Sequence, residues 1–533
     1  MKSLGRRALK IAVINTGGTI SCVGNPLAPM TSAEFKAACQ IHLDPIIHQK
    51  FPGLTLNYVT DLAFPESASG MLDSTNLQPS DWCLIARYIL EHYTEADGWV
   101  ILHGTDTLDF SGTALPMLLS RFDADGNVLV QLSKSVILTG SQVPLFHAAN
   151  PGEISGITFH TDAFENVCGA VAVARLGIPA VSVFFDNQLM RGSRVVKDNT
   201  SQFRAFASPN FPVLGQYGIT LSISPEYMPS GPASESVSLD DAKARAATLN
   251  QLEAIAGAIN NRPVTRLGAF PSHYDPAQAT AVLGNLIRAN VEQGIGGLVL
   301  ESYGAGNFPS GNANTSEAGA IYQALDAANK AGVVIVDNTQ VAHGAVDYNA
   351  YAAGAWFPTI GALNPVDMTP MASLAKLTIL LAAQESNGWS LDDIKFLMQT
   401  PLVGEMEDLA RLDSRTRSTL LPGQALTTFN GSASLLNDPE RGPILKNSNG
   451  KTLWAMLDDA THSALPGQLR MQNDGNLVFY SRNNQPLWES SMQNGYLAFS
   501  QLRLRQTADG KQVTVSIYCG TQRATIWHKT LTL

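Results

Sequence analysis
Two short hydroxyl-rich turns hold the residues of this chain best suited to chemistry. The first is Asn15-Thr16-Gly17-Gly18-Thr19-Ile20, and the second is His103-Gly104-Thr105-Asp106-Thr107. Each follows an apolar run, residues 11–14 and 99–102, that reads as a buried β-strand. Threonines, a carboxylate and side-chain-free backbone thus fall at the carboxyl ends of strands, where open α/β sheets bind ligands. A hydroxyl is a weak nucleophile at neutral pH and needs an activating neighbour. Thr19 follows a Gly-Gly pair that lets backbone approach a substrate closely. Thr105 sits beside the Asp106 carboxylate. A third piece, Arg191-Gly192-Ser193-Arg194-Val195-Val196-Lys197, follows another apolar run, and Lys197 could either polarise Thr105 or hold a proton. The chemistry these residues suit is hydrolysis through a threonine nucleophile.

Positioning such groups calls for a doubly wound α/β frame. Val136-Ile137-Leu138, Val171-Ala172-Val173 and residues 181–185 read as buried parallel strands. Trp82, Ile85, Ala86, Ile89 and Leu90 follow helical spacing, with Ser80 as the expected N-cap. Strand–helix alternation of this kind means βαβ units. Residues 222–263, a Pro/Ser-rich stretch followed by an Ala-rich helical segment, read as a linker or insertion between two lobes. The pattern then resumes with strands at 297–300 and 333–336 and an apolar helix over 371–383. The expected organisation is an N-terminal lobe over 8–213, a linker over 214–264, a second lobe over 265–412 and an all-β module over 415–533.

Composition narrows the function class. A formal charge of -10 with no basic stripe argues against nucleic-acid binding. No run of ~18 apolar residues suggests a membrane span. The basic cluster Lys2, Arg6, Arg7 and Lys10 leads into an apolar run too short for a signal peptide. Five scattered cysteines, Cys22, Cys39, Cys83, Cys168 and Cys519, form no CxxC pair and suit reduced thiols in the cytoplasm, with export by another route left open. His42 and His48 lack metal-ligand spacing, so no metal is expected.

The last ~115 residues lose helical periodicity and turn to short strands and turn dipeptides. Trp454, Trp488 and Trp527 close three weakly similar segments, 34 and 39 residues apart. Three similar sheets around a shared aromatic core is the natural reading. Within the second segment, Gln472-Asn473-Asp474-Gly475-Asn476-Leu477-Val478-Phe479-Tyr480 has the spacing Q-x-D-x-N-x-V-x-Y. On a strand, Gln472, Asp474, Asn476 and Tyr480 would share one face. They could then hydrogen-bond the vicinal hydroxyls of a sugar while Val478 meets its carbon face. The third segment, around Thr507-Ala508-Asp509, lacks the glutamine and asparagine, and the first, near Asn437-Asp438, is weaker still.

Taken in order, Thr16-Gly17-Gly18-Thr19-Ile20, Met71-Leu72-Asp73-Ser74-Thr75, His103-Gly104-Thr105-Asp106-Thr107, Leu138-Thr139-Gly140-Ser141-Gln142, Arg191-Gly192 with Lys197, Phe206-Ala207-Ser208-Pro209-Asn210 and Ser302-Tyr303-Gly304-Ala305-Gly306-Asn307 resemble the bacterial type I L-asparaginases over roughly residues 10–400. The resemblance implies Thr19 as nucleophile, attacking a side-chain amide to give a β-aspartyl ester. It implies Thr105, Asp106 and Lys197 as the supporting proton-shuttling set. Gly18, Asp73, Ser74, Thr75, Thr105 and Asp106 would bind the small-molecule substrate, L-asparagine or L-glutamine. No cofactor is implied, and a homodimer or homotetramer is, with sites completed by a neighbouring subunit. One departure stands out: the family's loop tyrosine about ten residues after the nucleophile is missing from residues 21–30, leaving Ser21, Thr31 or Tyr58 to supply a hydroxyl.

The Q-x-D-x-N-x-V-x-Y segment, with Leu420-Leu421-Pro422-Gly423-Gln424-Ala425-Leu426, resembles the bulb-type mannose-binding lectins. That resemblance implies a β-prism of three four-stranded sheets and a mannose-type glycan as partner. The combined expectation is an asparagine amidohydrolase with an appended carbohydrate-binding domain. Its rivals are a related scaffold turned to glutamine, amidated tRNA or lysophospholipids, a carbohydrate-binding, bacteriocin-like protein with a silent hydrolase lobe, and a C-terminal module that serves assembly alone.

Overall fold
The computed structural model describes residues 8–150, 153–348, 350–429, 431–458, 463–493, 495, 499–507 and 510–533. Lys2, Arg6 and Arg7 of the basic cluster, and Ala508 and Asp509 of the third segment, lie outside the described residues. The chain divides into two compact units, Met1–Pro232 with Ser236–Met406, and Glu407–Leu533 with Ala233–Glu235.

The first unit is built on an eight-stranded mixed sheet. Its strands are β1 (Leu9–Asn15), β2 (Leu54–Tyr58), β3 (Gly98–Leu102), β4 (Ser135–Thr139), β5 (Val181–Phe185), β6 (Gln188–Arg191), β7 (Gly215–Tyr217) and β8 (Leu221–Ile223), in the order β8-β7-β6-β5-β4-β3-β1-β2. β2, β1, β3, β4 and β5 run parallel. Strands β3, β4 and β5 are buried along their whole length, which suits uninterrupted Val/Ile/Leu/Phe runs. Pairing of Asn15 with Leu102, and of Leu102 with Thr139, brings the ends of β1, β3 and β4 level on one edge. At the end of β5 the chain reverses through Asp186 and Asn187, both in the left-handed region, into antiparallel β6.

Two sequence expectations need correction here. Val171-Ala172-Val173 is no strand but the end of a helix, Ala163–Ala174, buried on nearly every side. A helix covered all round shows no amphipathic stripe, so its Val-rich end imitates a strand. Its Gly169 lies under the Phe184 ring, where a methyl would fall 2.0 Å from Cε1. The helix α1 (Pro79–Glu91) starts at Pro79, with Gln78 as N-cap donating its N–H to Asp81 at 2.7 Å. Ser80 therefore lies inside the first turn instead of capping it.

Residues 214–264, read as a linker, start with β7 and β8 of the large sheet and so are no free connection; the expected Ala-rich helix follows as α2 (Ala242–Ala258), started by Asp241 accepting the Ala244 N–H. It packs on α1, where Arg87 grips Glu253 through Nε and Nη2 at 2.6 and 2.8 Å. Beyond it, β9 (Val264–Gly268), β10 (Gly297–Ser302) and β11 (Val334–Thr339) form a three-stranded parallel sheet. The helix α3 (Pro370–Asn387) packs against all three strands. Thr369 caps its start and left-handed Gly388 its end. Deep in this region Lys376 and Glu405 form an ion pair at 2.5 Å, both side chains with no exposed surface.

The second unit is all β. Its strands are β12 (Arg411–Asp413), β13 (Thr419–Leu420), β14 (Ala425–Thr427), β15 (Ala433–Asp438), β16 (Gly442–Asn447), β17 (Thr452–Ala455), β18 (Gln468–Met471), β19 (Leu477–Tyr480), β20 (Pro486–Glu489), β21 (Ser500–Gln506), β22 (Gln512–Cys519) and β23 (Ala524–Thr532). They make three four-stranded antiparallel sheets, β14-β15-β16-β17, β13-β18-β19-β20 and β12-β21-β22-β23. The last strand of each sheet carries one tryptophan of the repeat. Trp454, Trp488 and Trp527 meet with ring centroids 5.9 to 6.3 Å apart. Leu, Ile and Val from all three sheets form the core beneath them.

Among the described residues no helix is long and apolar enough to cross a membrane, and no group of three or more His, Cys, Asp or Glu is placed to hold a metal. All five cysteines are free thiols.

Candidate active site
The Gly-Gly turn is shaped by contacts that only glycine permits. Gly17 and Gly18 have φ of 114° and 76°. A methyl on Gly17 would lie 2.1 Å from the Leu72 carbonyl oxygen, and one on Gly18 2.4 Å from the Gly104 Cα. Leu72 donates to Thr16 O at 2.9 Å and accepts from the Gly18 N–H at 3.0 Å. The segment around residues 72–75 and the 103–107 turn are thereby both laid against the backbone that carries Thr19. Thr19 is half-buried and opens a single 3-10 turn, Thr19–Ser21. Among the described residues its hydroxyl has no hydrogen-bond partner.

Thr105, 8% exposed, faces Lys197. The Lys197 Nζ donates to Thr105 Oγ1 at 2.9 Å and to Asp106 Oδ1 at 2.5 Å. Backbone proximity makes this meeting possible: a methyl on Gly112 would fall 2.3 Å from the Gly192 carbonyl oxygen. The helix after the second turn, Leu108–Leu118, therefore lies directly on the Gly192–Arg194 turn that leads to Lys197. Asp73 folds onto Thr75, accepting its N–H and its hydroxyl at 3.0 Å each. Ser74 bridges the two loops, its Oγ accepting the Asp106 N–H at 3.3 Å and its carbonyl the Thr107 hydroxyl at 3.0 Å. Thr105, Asp106 and Lys197 are in direct contact, with Gly18, Thr19, Asp73, Ser74 and Thr75 on the loops that touch them.

Reading residue types alone passed over the buried groups behind this surface. Asp109 accepts the Lys197 N–H at 3.1 Å and is buried. Burial pushes its carboxyl up to about 6, against N–H groups of Lys197 and Phe110 and the Arg266 charge, which pull it down. A raised carboxyl favours the native state below the ordinary carboxylate pKa, and that contribution is lost as pH rises through about 6. Asp109→Asn is thus expected to flatten the stability change between pH 4 and 6 by up to about 3 kcal/mol, read by urea unfolding. An unchanged pH slope would assign that change to other groups. Asp162 holds the Gln142 and Val143 N–H groups, and Asn166 donates to the Gly140 carbonyl. No local spacing in the sequence advertises either residue.

Comparison with known proteins agrees with this frame. The family model "Asparaginase, N-terminal" matches residues 10–228, and "Glutaminase/Asparaginase C-terminal domain" matches residues 280–392. L-asparaginase 1 of Escherichia coli K12 is 31% identical over 369 residues, spanning 69% of this chain and 89% of that protein. The chain belongs to the asparaginase family. Within it the similarity is to the type I enzymes, and the chain is an asparaginase-type amidohydrolase. L-asparaginase I from Vibrio cholerae superposes with a TM-score of 0.56 at 28% identity, covering 75% of this chain and 99% of that one. The human 60 kDa lysophospholipase is 32% identical over 337 residues, 63% of this chain and 49% of that protein.

The three hydroxyls considered for the missing loop tyrosine of this asparaginase-family enzyme are committed elsewhere. Ser21 donates to Gly18 O, Thr31 caps the helix Ser32–His42 with Glu34, and Tyr58 donates to Asp44 at 2.6 Å. The loop itself is a small hairpin in which Cys22 pairs with Pro29 and Val23 with Ala28.

In the all-β unit, Gln472, Asp474 and Asn476 do not lie on a strand, which corrects the expectation of four alternate positions on one face. They form the hairpin turn between β18 and β19, where Gly475 has φ of 87° and Gln472 and Asn476 close the turn through their backbones. The local cause is Asn473-Asp474-Gly475, which favours a turn over extended chain. Gln472 and Tyr480 still meet, Nε2 to Oη at 2.7 Å. Asn476 is buried, its amide spent on Glu489 and Ser490.

Proposed function
We propose that the chain hydrolyses L-asparagine to L-aspartate and ammonia, with L-glutamine as a second amide to be tested. The observation that carries this reading is the Lys197 ammonium held between the Thr105 hydroxyl and the Asp106 carboxylate, beside the loop of Thr19. Thr19 Oγ attacks the side-chain amide carbon; Thr105, held by the Lys197 ammonium, takes the Thr19 proton on its hydroxyl oxygen and gives its own to the departing nitrogen, which leaves as ammonia. Water then attacks the β-aspartyl ester and restores the threonine hydroxyl. Asp73, Ser74, Thr75, Gly18 and Asp106 hold the substrate's α-amino and α-carboxylate groups. Among the described residues the Thr19 and Thr105 main-chain N–H groups have no protein partner, which suits them to receive the oxyanion. No cofactor enters the scheme. Residues 8–223, which take in β7 and β8, and residues 264–406 act as its two lobes in a homodimer or homotetramer, and the enzyme works in the cytoplasm.

Purified protein should release ammonia from L-asparagine, with L-glutamine assayed beside it. No release from either amide would overturn the substrate assignment. The likeness to the human lysophospholipase and the absent loop tyrosine favour one second reading, so free fatty acid from lysophosphatidylcholine belongs in the same assay.

For residues 415–533 we propose a bulb-lectin-like module that binds a mannose-type glycan through Gln472, Asp474 and Tyr480, while Asn476, expected from the sequence to join them, braces the turn from inside through Glu489 and Ser490. Three tryptophan-closed sheets and the Gln472–Tyr480 contact support it. Gln472→Ala in the full chain should lower mannose affinity about tenfold by titration calorimetry, the cost of a lost hydrogen bond. Equal affinity in both proteins would remove this turn from the binding site.

A further inference from the structure
We propose that Trp82, Ser111 and His103 form a one-way hydrogen-bond relay that holds the Gly104–Thr105 peptide with its N–H turned toward the substrate. The inference rests on the proposed reaction, in which that N–H receives the oxyanion.

The direction of the relay follows from donor chemistry. His103 Nδ1 lies 2.7 Å from the Gly104 carbonyl oxygen, which can only accept, so Nδ1 carries the proton. In the neutral ring Nε2 is then an acceptor, and Ser111 Oγ at 2.9 Å must donate to it. Ser111 in turn accepts from Trp82 Nε1 at 3.0 Å, an indole N–H that can only donate. Every proton in the chain has one place to be. All three residues are buried, and burial pushes the His103 imidazole down to about 4, so the ring stays neutral where the enzyme works.

The consequence falls on one peptide plane. In a trans peptide the C=O and N–H point in opposite directions. Pulling the Gly104 carbonyl toward His103 aims the Thr105 N–H away from the relay, where among the described residues it has no protein partner. Gly104 cannot hold this plane by its own side chain, since even a methyl would strike Ser74 Oγ at 2.4 Å. Ser111 stands one turn into the helix after the motif, Leu108–Leu118, so a rigid element anchors the device. None of the three residues contacts Thr19, Thr105 Oγ1 or Lys197 through a hydrogen bond. They are positioning residues.

The test separates positioning from mere support. An asparagine at 103 can place an N–H near the Nδ1 position and donate to Gly104 O, whereas leucine of similar size cannot. His103→Leu should lose about 10- to 100-fold in kcat for asparagine with KM within about twofold, because only the transition-state contact is disturbed. His103→Asn should stay within about threefold of the parent, although its buried amide makes it the less heat-stable variant. Equal losses in the two variants, or activities that follow their Tm order, would overturn the proposal. The ring-nitrogen 15N shifts of His103 in the full chain, assigned by their disappearance in His103→Asn, give a readout independent of turnover. A neutral Nδ1–H ring from pH 5 to 8 that becomes a mixture of tautomers in Ser111→Ala is expected. An Nε2–H or charged ring in the parent would refute the relay even if the protein hydrolysed no asparagine. A parent inactive on asparagine with the expected shifts would instead fault the substrate reading alone.

Discussion

Thr19→Ala is expected to reduce ammonia release from asparagine by about 10⁴-fold or more while leaving the fold intact. The magnitude follows from removing the attacking oxygen itself, after which the surrounding donors have no covalent intermediate to stabilise. The specificity follows from the structure. The Thr19 hydroxyl has no internal partner among the described residues, and the sharp turn before it is held by Gly17 and Gly18 backbone. Losing a half-buried hydroxyl and methyl should move the Tm by no more than a few degrees. Thr19→Ser keeps the oxygen and should recover most of the loss. A Thr19→Ala protein retaining a tenth of the parental rate would hand the nucleophile's role to another group, with Thr105 the next to examine.

The second large effect concerns stability. Lys376→Met should destabilise the larger unit by about 3–5 kcal/mol, because it strands the Glu405 charge without its counter-ion. Lys376 Nζ donates to Glu405 Oε1 and to the carbonyls of Met398 and Thr400, so one ammonium ties three points of the chain together. Glu405 also accepts the Leu402 and Val403 N–H groups. Burial acts to raise its carboxyl, but Lys376 overrides this and holds it below the usual range. The stability it contributes is therefore lost as pH falls through that depressed value. Adding Glu405→Gln to Lys376→Met should restore much of the deficit, since a neutral amide can still accept the two N–H groups. Urea unfolding of the four proteins in a double-mutant cycle gives the coupling. A coupling near zero would mean the pair adds nothing beyond its separate side chains.

Much of the frame was readable because the strands are uninterrupted apolar runs ending in turn residues. The ends of β1 and β3 were recognisable from Gly17-Gly18 and Gly104. Periodicity failed where burial is complete, as at Val171-Ala172-Val173, whose helix has no polar face to betray it. It failed again at Gln472 to Asn476, where alternating polar residues suggested a strand but Asn473-Asp474-Gly475 turn the chain. Thr105, Asp106 and Lys197 could be grouped by residue type and now prove to touch. Asp109, Ser111 and Trp82 could not, since a buried polar side chain looks in sequence like any helix residue. Their meaning lies in contacts made across the fold.

The all-β unit has an unusual debt to its own beginning. β12, β13 and β14 lie close together in the chain, yet each belongs to a different sheet. β14 meets β15 almost at once, with Ala425 opposite Leu436, whereas β13 waits for Arg470 and β12 for Arg503. During synthesis at about 5–20 residues per second, β12 therefore stays an open edge for roughly 5 to 20 s after it emerges. Open edges recruit other chains. A ribosome halted shortly before residue 500 would carry two sheets able to form and a lone strand with nothing to join. Messages cut short in this last stretch should yield sticky protein, because β12 has no partner until β21 is made.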